Sequence, residues 1–252
     1  MSPALRRQRY AASDRMPGSD VVAAFDFDGT LTRGGSVWKF LTAMCGRDAV
    51  ISAGMSLLPQ LVRASLFGGK AADEAKEALF ERTLAGLRAD DVAQRSIAFG
   101  AAHYHRRHRT KVRARLDWHR RQGHRVVVVS ASPDYYVKAV AAELGVDGVV
   151  ATRLEVDRNG TLTGHFAGGN CRGPQKRDRL LQWMEASSPP EPAGGDPRDP
   201  DDIGPPYLWA YGNSAGDLEM LQAADMGIDA GRLGRFGKLR KFRRLGDVLT
   251  AW

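Results

Sequence analysis

The sequence predicts an α/β fold: a parallel sheet covered by helices on both faces and interrupted by an all-helical insert. Three observations predict it. Short apolar runs ending in polar or glycine residues recur at "VVAAFDFDG", "HRVVVVSAS", "DGVVATRLEV" and "YLWAYGN". Helical text separates them, and strands that alternate with helices require crossover connections and so a parallel sheet. From Val37 to about Thr110 the chain contains no convincing strand, which reads as a compact helical insert.

Taken in order, residues 1–18 read as a disordered arm, and Val21 to Phe27 as a buried strand closed by Gly29. The insert, 34–110, carries "VWKFLTAM", "AVISAGMSLLPQLVRASLF", "ADEAKEALFERTLAGL" and "DDVAQRSIAFGAAHYH" as helices. A basic helix, "RTKVRARLDWHRRQG", leads into Val126–Val129, a continuous apolar run of the kind buried on both faces of a sheet. Ser132 fits an N-cap and Pro133 a first helical position for "SPDYYVKAVAAELG". "DGVVATRLEV" reads as one strand, Asn159-Gly160 as a hairpin turn, and Pro174 to Met184 as a helix. Residues 187–206 hold seven of the 12 prolines and read as a loop or disordered insertion. "YLWAYGN", "SAGDLEMLQAA" and "DMGIDA" complete the pattern as strand, helix and strand. Residues 19–33 and 111–252 therefore form the core around the insert.

A chain of 252 residues buries a core without staples. Its 43% hydrophobic and 26% charged content is ordinary for a soluble globular protein. Two cysteines, Cys45 and Cys171, give no disulfide framework or zinc cluster and fit a reducing cytoplasm. No apolar run reaches the roughly 20 residues that cross a bilayer, and no signal peptide is read at the N-terminus. The net charge of +8 favours anionic partners.

Asp26, Ser130 and Asn213 fall at the carboxyl ends of three strands, where ligands of open α/β sheets bind. Asp26 and Asp28 repel each other there, and a divalent cation removes that cost. Magnesium takes oxygen ligands and few protein carboxylates beside phosphate and water. A carboxylate also serves as a nucleophile.

These residues carry a resemblance. "DFDGTLT" resembles motif I of the haloacid dehalogenase (HAD) superfamily, "VVVVS" ending at Ser130 motif II, Lys176 in "CRGPQKRDRL" motif III, and "YGNSAGDLEML" motif IV. The likeness runs from about 20 to 230, with the insert where a C1 cap lies. "VSASPDYYV" with "TGHFAGGNCRGPQK" is most similar to subclass IB, in its phosphoserine phosphatase-like and phosphatidylglycerophosphatase C-like branch.

The resemblance implies a Rossmann-like core and an Mg²⁺-dependent phosphomonoester hydrolase. It implies Asp26 as nucleophile and Asp28 as the acid that protonates the leaving oxygen and then activates water. Ser130 and Lys176, with backbone groups of Gly29, Thr30 and Ala131, are implied to hold phosphate. Asp26, the Asp28 carbonyl, Asn213 and Asp217 are implied to hold the metal. The motif IV position most often occupied by Asp is Asn213 here, one negative charge fewer. The Glu that follows motif I in phosphoserine phosphatases is replaced by Arg33-Gly34-Gly35-Ser36, and Ala131-Ser132 stand where those enzymes have Gly-Gly. Phosphoserine is therefore not the expected substrate.

Beside the metal role, Ser214 to Asp217 fits a helix capping box. "HYHRRHR", 103–109, reads as a solvated basic face rather than a zinc site, since no Cys or acid completes a ligand set. In "GRLGRFGKLRKFRRL", Leu233, Phe236, Leu239, Phe242 and Leu245 recur every third residue among seven Lys or Arg. Such a segment either lies on an anionic membrane or packs on the core, and the apolar cap stretch offers the same two readings. The expected partners are thus a small or lipid phosphomonoester and peripheral contact with an anionic, inner membrane surface; nucleic acid is not expected. The alternatives are a phosphotransferase or mutase of the same superfamily, or a weakly active protein that binds anionic partners through its basic surface.

Overall fold

The computed structural model describes residues 20–188, 206–231 and 238–249. The sequence expectations for 1–18, for most of the proline-rich insertion and for Leu233 and Phe236 lie outside the described residues.

The main sheet has six strands: β1 (Val21–Phe25), β2 (Arg125–Pro133), β3 (Gly148–Thr152), β6 (Tyr207–Gly212), β7 (Met226–Asp229) and β8 (Arg243–Arg244). Their order is β3-β2-β1-β6-β7-β8, and every pairing is parallel. The chain leaves β1 for β2 and β3, then returns to the other side of β1 as β6. The order therefore reverses at β1/β6, and the crevice at that switch point opens beyond the carboxyl end of β1.

Alternation of side chains across the sheet explains why the apolar runs are continuous. Ala23, Phe25, Val126, Val128, Tyr211 and Ile228 pack into one core. Val22, Ala24, Val127, Val129, Leu208 and Ala210 pack into a second on the opposite face.

Five helices form the insert after β1: α1 (Val37–Cys45), α2 (Arg47–Ser56), α3 (Leu58–Phe67), α4 (Gly69–Leu84) and α5 (Ala89–Arg107). The basic helix α6 (Thr110–Arg121) then leads back to the sheet, and α7 (Asp134–Leu144) follows β2. The two connections to the insert run side by side. Arg33 N donates to Arg107 O at 2.8 Å, Arg109 N to Leu31 O at 2.8 Å, and Thr32 bridges His108.

A separate antiparallel hairpin, β4 (Leu154–Val156) and β5 (Leu162–Phe166), packs on α4. The approach is so close that a Cβ on Gly164 would lie 2.3 Å from Glu81 Cα. The stretch expected as one strand therefore divides at Arg153, because β3 stays in the sheet while β4 turns to the helices. The remaining helices are α8 (Pro174–Ala186), α9 (Leu218–Ala223) and α10 (Leu245–Leu249).

Several local expectations shift. β1 ends at Phe25 rather than Phe27, since Asp26 N makes the last bond to Tyr211 O (2.9 Å) and Thr32 N then folds back onto Phe27 O. β2 continues through a bulge to Pro133, and α7 begins at Asp134. Ser132 does not cap it, because its hydroxyl is engaged elsewhere. His103 is buried against Phe27 and Phe99 instead of lying on a solvated face, while His105 is exposed and His108 half-buried. The described part of the basic C-terminal segment packs on the core: Leu239, Leu245 and Val248 are buried, and Arg243-Arg244 add an edge strand that the sequence did not announce.

Candidate active site

Asp26 lies one residue beyond β1 and is buried at the switch point. Its Oδ1 accepts a hydrogen bond from Lys176 Nζ at 2.6 Å. Lys176 rises from the first turn of α8, with Pro174 at the helix start, and is itself buried. The same ammonium donates to Asp217 Oδ1 at 2.5 Å. Burial disfavours this ammonium, but the Asp217 and Asp26 carboxylates outweigh it and hold its pKa above that of ordinary lysine. Asp26 is pushed up to about 7 by burial and by Asp217, against the pull of Lys176.

Asp217 is fully engaged by protein donors. Its Oδ2 accepts from Asn213 N (3.0 Å), Ser214 N (2.9 Å) and Ser214 Oγ (2.9 Å). The Ser214 hydroxyl in turn accepts from Gly216 N, which completes the capping box. These contacts tie Asp217 to the loop after β6 and to Lys176.

Asn213 is the residue next to Asp26. One terminal atom of its amide lies 2.9 Å from the Asp28 carbonyl oxygen, 3.0 Å from Asp26 Oδ2 and 3.1 Å from Thr30 Oγ1. With nitrogen inward, the amide donates to these oxygens. With oxygen inward, it accepts from Thr30 Oγ1 but faces the other two oxygens with no proton between them. A proton on Asp26 Oδ2 or a cation makes that second arrangement favourable. Adjacent ligands of an octahedral Mg²⁺, at about 2.1 Å from the metal, are about 3.0 Å apart. The spacing of Asp26 Oδ2, the Asp28 carbonyl and the Asn213 amide fits that edge. Among the described residues no three His, Cys, Asp or Glu side chains converge, so a hard cation at this site would rest on the mixed oxygen set. Gly29 makes the approach possible: its φ is +85°, and a Cβ there would lie 2.2 Å from the Asn213 amide.

Asp28 turns its carboxylate away from Lys176 toward the helical insert. Its Oδ2 accepts from Ser132 Oγ at 2.5 Å and from Ser36 Oγ at 2.7 Å, and Tyr136 Oη lies 2.6 Å from Ser36 Oγ. Its Oδ1 is buried without a protein hydrogen bond. Burial raises its pKa, and the two serines moderate the rise. Ser130 is buried in β2, and its Oγ accepts from Ser132 N at 3.0 Å.

A cavity of about 260 Å³ opens above Asp28, lined by Ser132 and Ala131 from the core and by Val37, Ala72, Asp73 and Lys76 from the insert, with Asn170 and Arg172. Lys76 Nζ donates to Ala131 O (2.6 Å) and Asn170 Oδ1 (2.8 Å) and lies over the Phe166 ring. Burial lowers its pKa to about 8, while Asp73 and Asp28 oppose the fall. Sequence reasoning missed Ser36, Lys76, Asn170 and Tyr136. The glycine-flanked "AGGNCRG" was the only signal that Asn170 stands on a sharply shaped loop.

The family model described as haloacid dehalogenase-like hydrolase matches residues 23–222. Protein CicA of Caulobacter vibrioides is 32% identical over 205 residues, which cover 81% of this chain and 83% of that protein. Phosphoserine phosphatase SerB2 of Mycobacterium tuberculosis is 30% identical over 209 residues, 81% of this chain but 42% of that longer protein. Among solved structures, a Bordetella pertussis protein of unknown function superposes with a TM-score of 0.70 at 21% identity, covering 90% of this chain and 98% of that one. A phosphoserine phosphatase bearing a phospho-aspartyl intermediate analogue gives 0.58 at 19% identity, covering 92% and 99%. With its six-stranded parallel sheet and its acidic pair beyond β1, the chain belongs to the haloacid dehalogenase-like hydrolase family.

Proposed function

We propose that the protein hydrolyses phosphomonoesters, small or lipid-borne, through an aspartyl-phosphate at Asp26. The observation that carries this reading is the pairing of a buried carboxylate with a shared ammonium, Asp26 Oδ1 to Lys176 Nζ at 2.6 Å, beside a second acid, Asp28, that lines a cavity. A nucleophile and an acid with different partners can perform two different tasks.

The Asp26 oxygen that faces Lys176 rather than Asn213 attacks phosphorus, and the bond to the ester oxygen breaks. Asp28, which burial favours in its protonated form, gives its proton to the departing oxygen. Water then attacks the phosphorylated Asp26 and loses its proton to the Asp28 carboxylate. The Asp26–phosphorus bond breaks, and inorganic phosphate leaves. Lys176 offsets charge on Asp26 and on the phosphoryl oxygens, and the Ser130 hydroxyl and the backbone at Gly29, Thr30 and Ala131 supply donors. Asp26, the Asp28 carbonyl and Asn213 would hold Mg²⁺, which supplies further neutralisation of the phosphoryl charge. Asp217 positions Lys176 and the Asn213 loop and stands behind that oxygen set as its further carboxylate.

The cavity lies on the leaving-group side and is walled by the insert, which supports a cap that selects that group. It carries Asp73 together with Lys76 and Arg172, so charge of either sign on the leaving group has a counterpart. The free thiols of Cys45 and Cys171 fit the reducing cytoplasm. A phosphatase screen with Mg²⁺ across sugar, amino-acid, nucleotide and lipid phosphates tests the function, with Asp26→Asn as the blank. Turnover of at least one class by the wild type alone is expected; equal phosphate release by both proteins contradicts the reading.

A further inference from the structure

We infer that Lys76, on the insert, is a positioning residue for the Ser130 hydroxyl, acting through the peptide that joins Ala131 to Ser132. The inference rests on the phosphatase reading, in which Ser130 meets a phosphoryl oxygen, and it adds a link between the insert and that contact.

The sheet does not hold this peptide. β2 pairs with β3 in regular register as far as Ser130, and the register then shifts before Pro133. Backbone groups left out of the ladder at a bulge must find partners elsewhere, and bulges beside active sites re-aim side chains. Here both ends of the peptide are held. Ala131 O accepts from Lys76 Nζ at 2.6 Å and from Thr152 Oγ1 at 2.7 Å. At the other end, Ser132 N donates to Ser130 Oγ at 3.0 Å. A hydroxyl that accepts this bond keeps its own proton for another acceptor. The orientation of the peptide therefore decides where the Ser130 proton points. Ser132, which follows the same peptide, also holds Asp28 through its hydroxyl.

A two-point contact places Lys76. Asp73 and Lys76 are three residues apart and so share one face of α4. Between them lies the buried Asn170 amide. Its Nδ2 donates to Asp73 Oδ1 at 2.6 Å, and its Oδ1 accepts from Lys76 Nζ at 2.8 Å. Asn170 is in turn anchored to the core: Thr152 Oγ1 lies 2.9 Å from its Oδ1 and accepts from Cys171 N at 3.0 Å. Both acceptors of the Lys76 ammonium are neutral oxygens, which a charged donor binds more strongly than a neutral one does. Lys76 therefore reaches Ala131 O only when α4 is docked on the core, and docking sets the peptide. Asp73 takes part in the docking without touching the peptide, and that difference supplies the test.

The experiment is titration of the full chain with inorganic phosphate in the presence of Mg²⁺, read by calorimetry, so that no turnover enters. Lys76→Met should weaken phosphate binding by about tenfold, the effect of losing one charge-assisted hydrogen bond. Asp73→Ala removes the other half of the contact on α4 and neither donor to Ala131 O, and should weaken binding much less. If Lys76→Met loses its circular dichroism spectrum, Lys76→Gln is read in its place. Undiminished binding in the Lys76 variant overturns the proposal. So does an equal loss in the Lys76 and Asp73 variants, which would reduce Lys76 to docking the insert, and so does absence of phosphate binding by the wild type. Hydrolysis of an aryl phosphate is followed in parallel. No turnover by the wild type, together with phosphate binding that depends on Lys76, would sink the phosphatase reading and leave this link standing. Turnover by the wild type with phosphate binding indifferent to Lys76 would do the reverse.

Discussion

Ser132 Oγ donates to Asp28 Oδ2 at 2.5 Å, and Ser36 from the start of the insert donates to the same oxygen at 2.7 Å. The acid is thus held jointly by the core and the insert. Ser132→Ala or Ser36→Ala should lower kcat by roughly ten- to a hundred-fold, part of what positioned acid–base catalysis supplies, with little change in KM. Steady-state kinetics on an aryl and an alkyl phosphate checks this. The alkyl ester, whose poorer leaving group needs the acid more, should suffer the larger loss; equal losses would contradict the role given to Asp28.

Asn213 provides a second prediction. Asn213→Asp places a further carboxylate about 3 Å from Asp26 Oδ2, where the amide now lies. Without metal the variant should melt earlier than wild type because the two charges repel. With Mg²⁺ it should gain more in Tm than wild type, because the site regains a negative charge. Thermal unfolding against Mg²⁺ reads both effects without any turnover. A gain no larger than that of wild type would remove Asn213 from the cation site.

The buried ion pairs of Lys176 predict a stability effect. Lys176→Met leaves Asp26 and Asp217 facing each other in a dry environment, and loss of one partner from such a cluster costs about 3–5 kcal/mol. Urea unfolding of the metal-free protein measures it. Lys176→Met/Asp217→Asn should recover part of the loss, because one unpaired charge is gone. No recovery would mean that the two groups are not coupled.

A pH effect follows from His119 beneath the sheet. Burial, with Arg115 and His124 nearby, lowers its pKa to about 2, and its Nε2 lies 2.8 Å from Tyr211 Oη. Above the unfolded value of about 6.5 the imidazole is neutral in both states and contributes no slope. Below it the unfolded chain takes up a proton that the folded one refuses. Stability should fall by about 1.4 kcal/mol per pH unit as pH drops from about 6 toward the folded pKa. The raised pKa of Asp26 acts in the opposite direction between about 4 and 7, since there the folded state holds the extra proton. The comparison with His119→Gln isolates the imidazole: the wild type should lose stability more steeply on acidification, and parallel curves would contradict its buried neutral state.

What the sequence revealed was local. The Val126–Val129 run needs two apolar faces and so implies a sheet interior. Asn159-Gly160 needs a positive φ, and Gly160 has it at +76°. Ser214 and Asp217 are three apart and close their box. What the sequence concealed depends on tertiary contact. Lys76 is one charged residue among many on α4 until the fold brings it to Ala131 O. Ser132 carries a cap signature, yet its hydroxyl goes to Asp28, which no local rule could weigh. Arg243-Arg244 has no apolar alternation, since an edge strand needs only backbone pairing. His103 lies in a basic run whose other histidines keep contact with solvent, and only the packing of α5 on Phe27 buries it.

The most direct measurement is rapid acid quench of the Mg²⁺-loaded protein during turnover of an aryl phosphate, followed by peptide mass spectrometry. A phosphoryl adduct on Asp26, removed by hydroxylamine and absent from Asp26→Asn, is the predicted result. Sustained turnover with Asp26 unmodified, or with the phosphoryl group on another residue, would contradict the account.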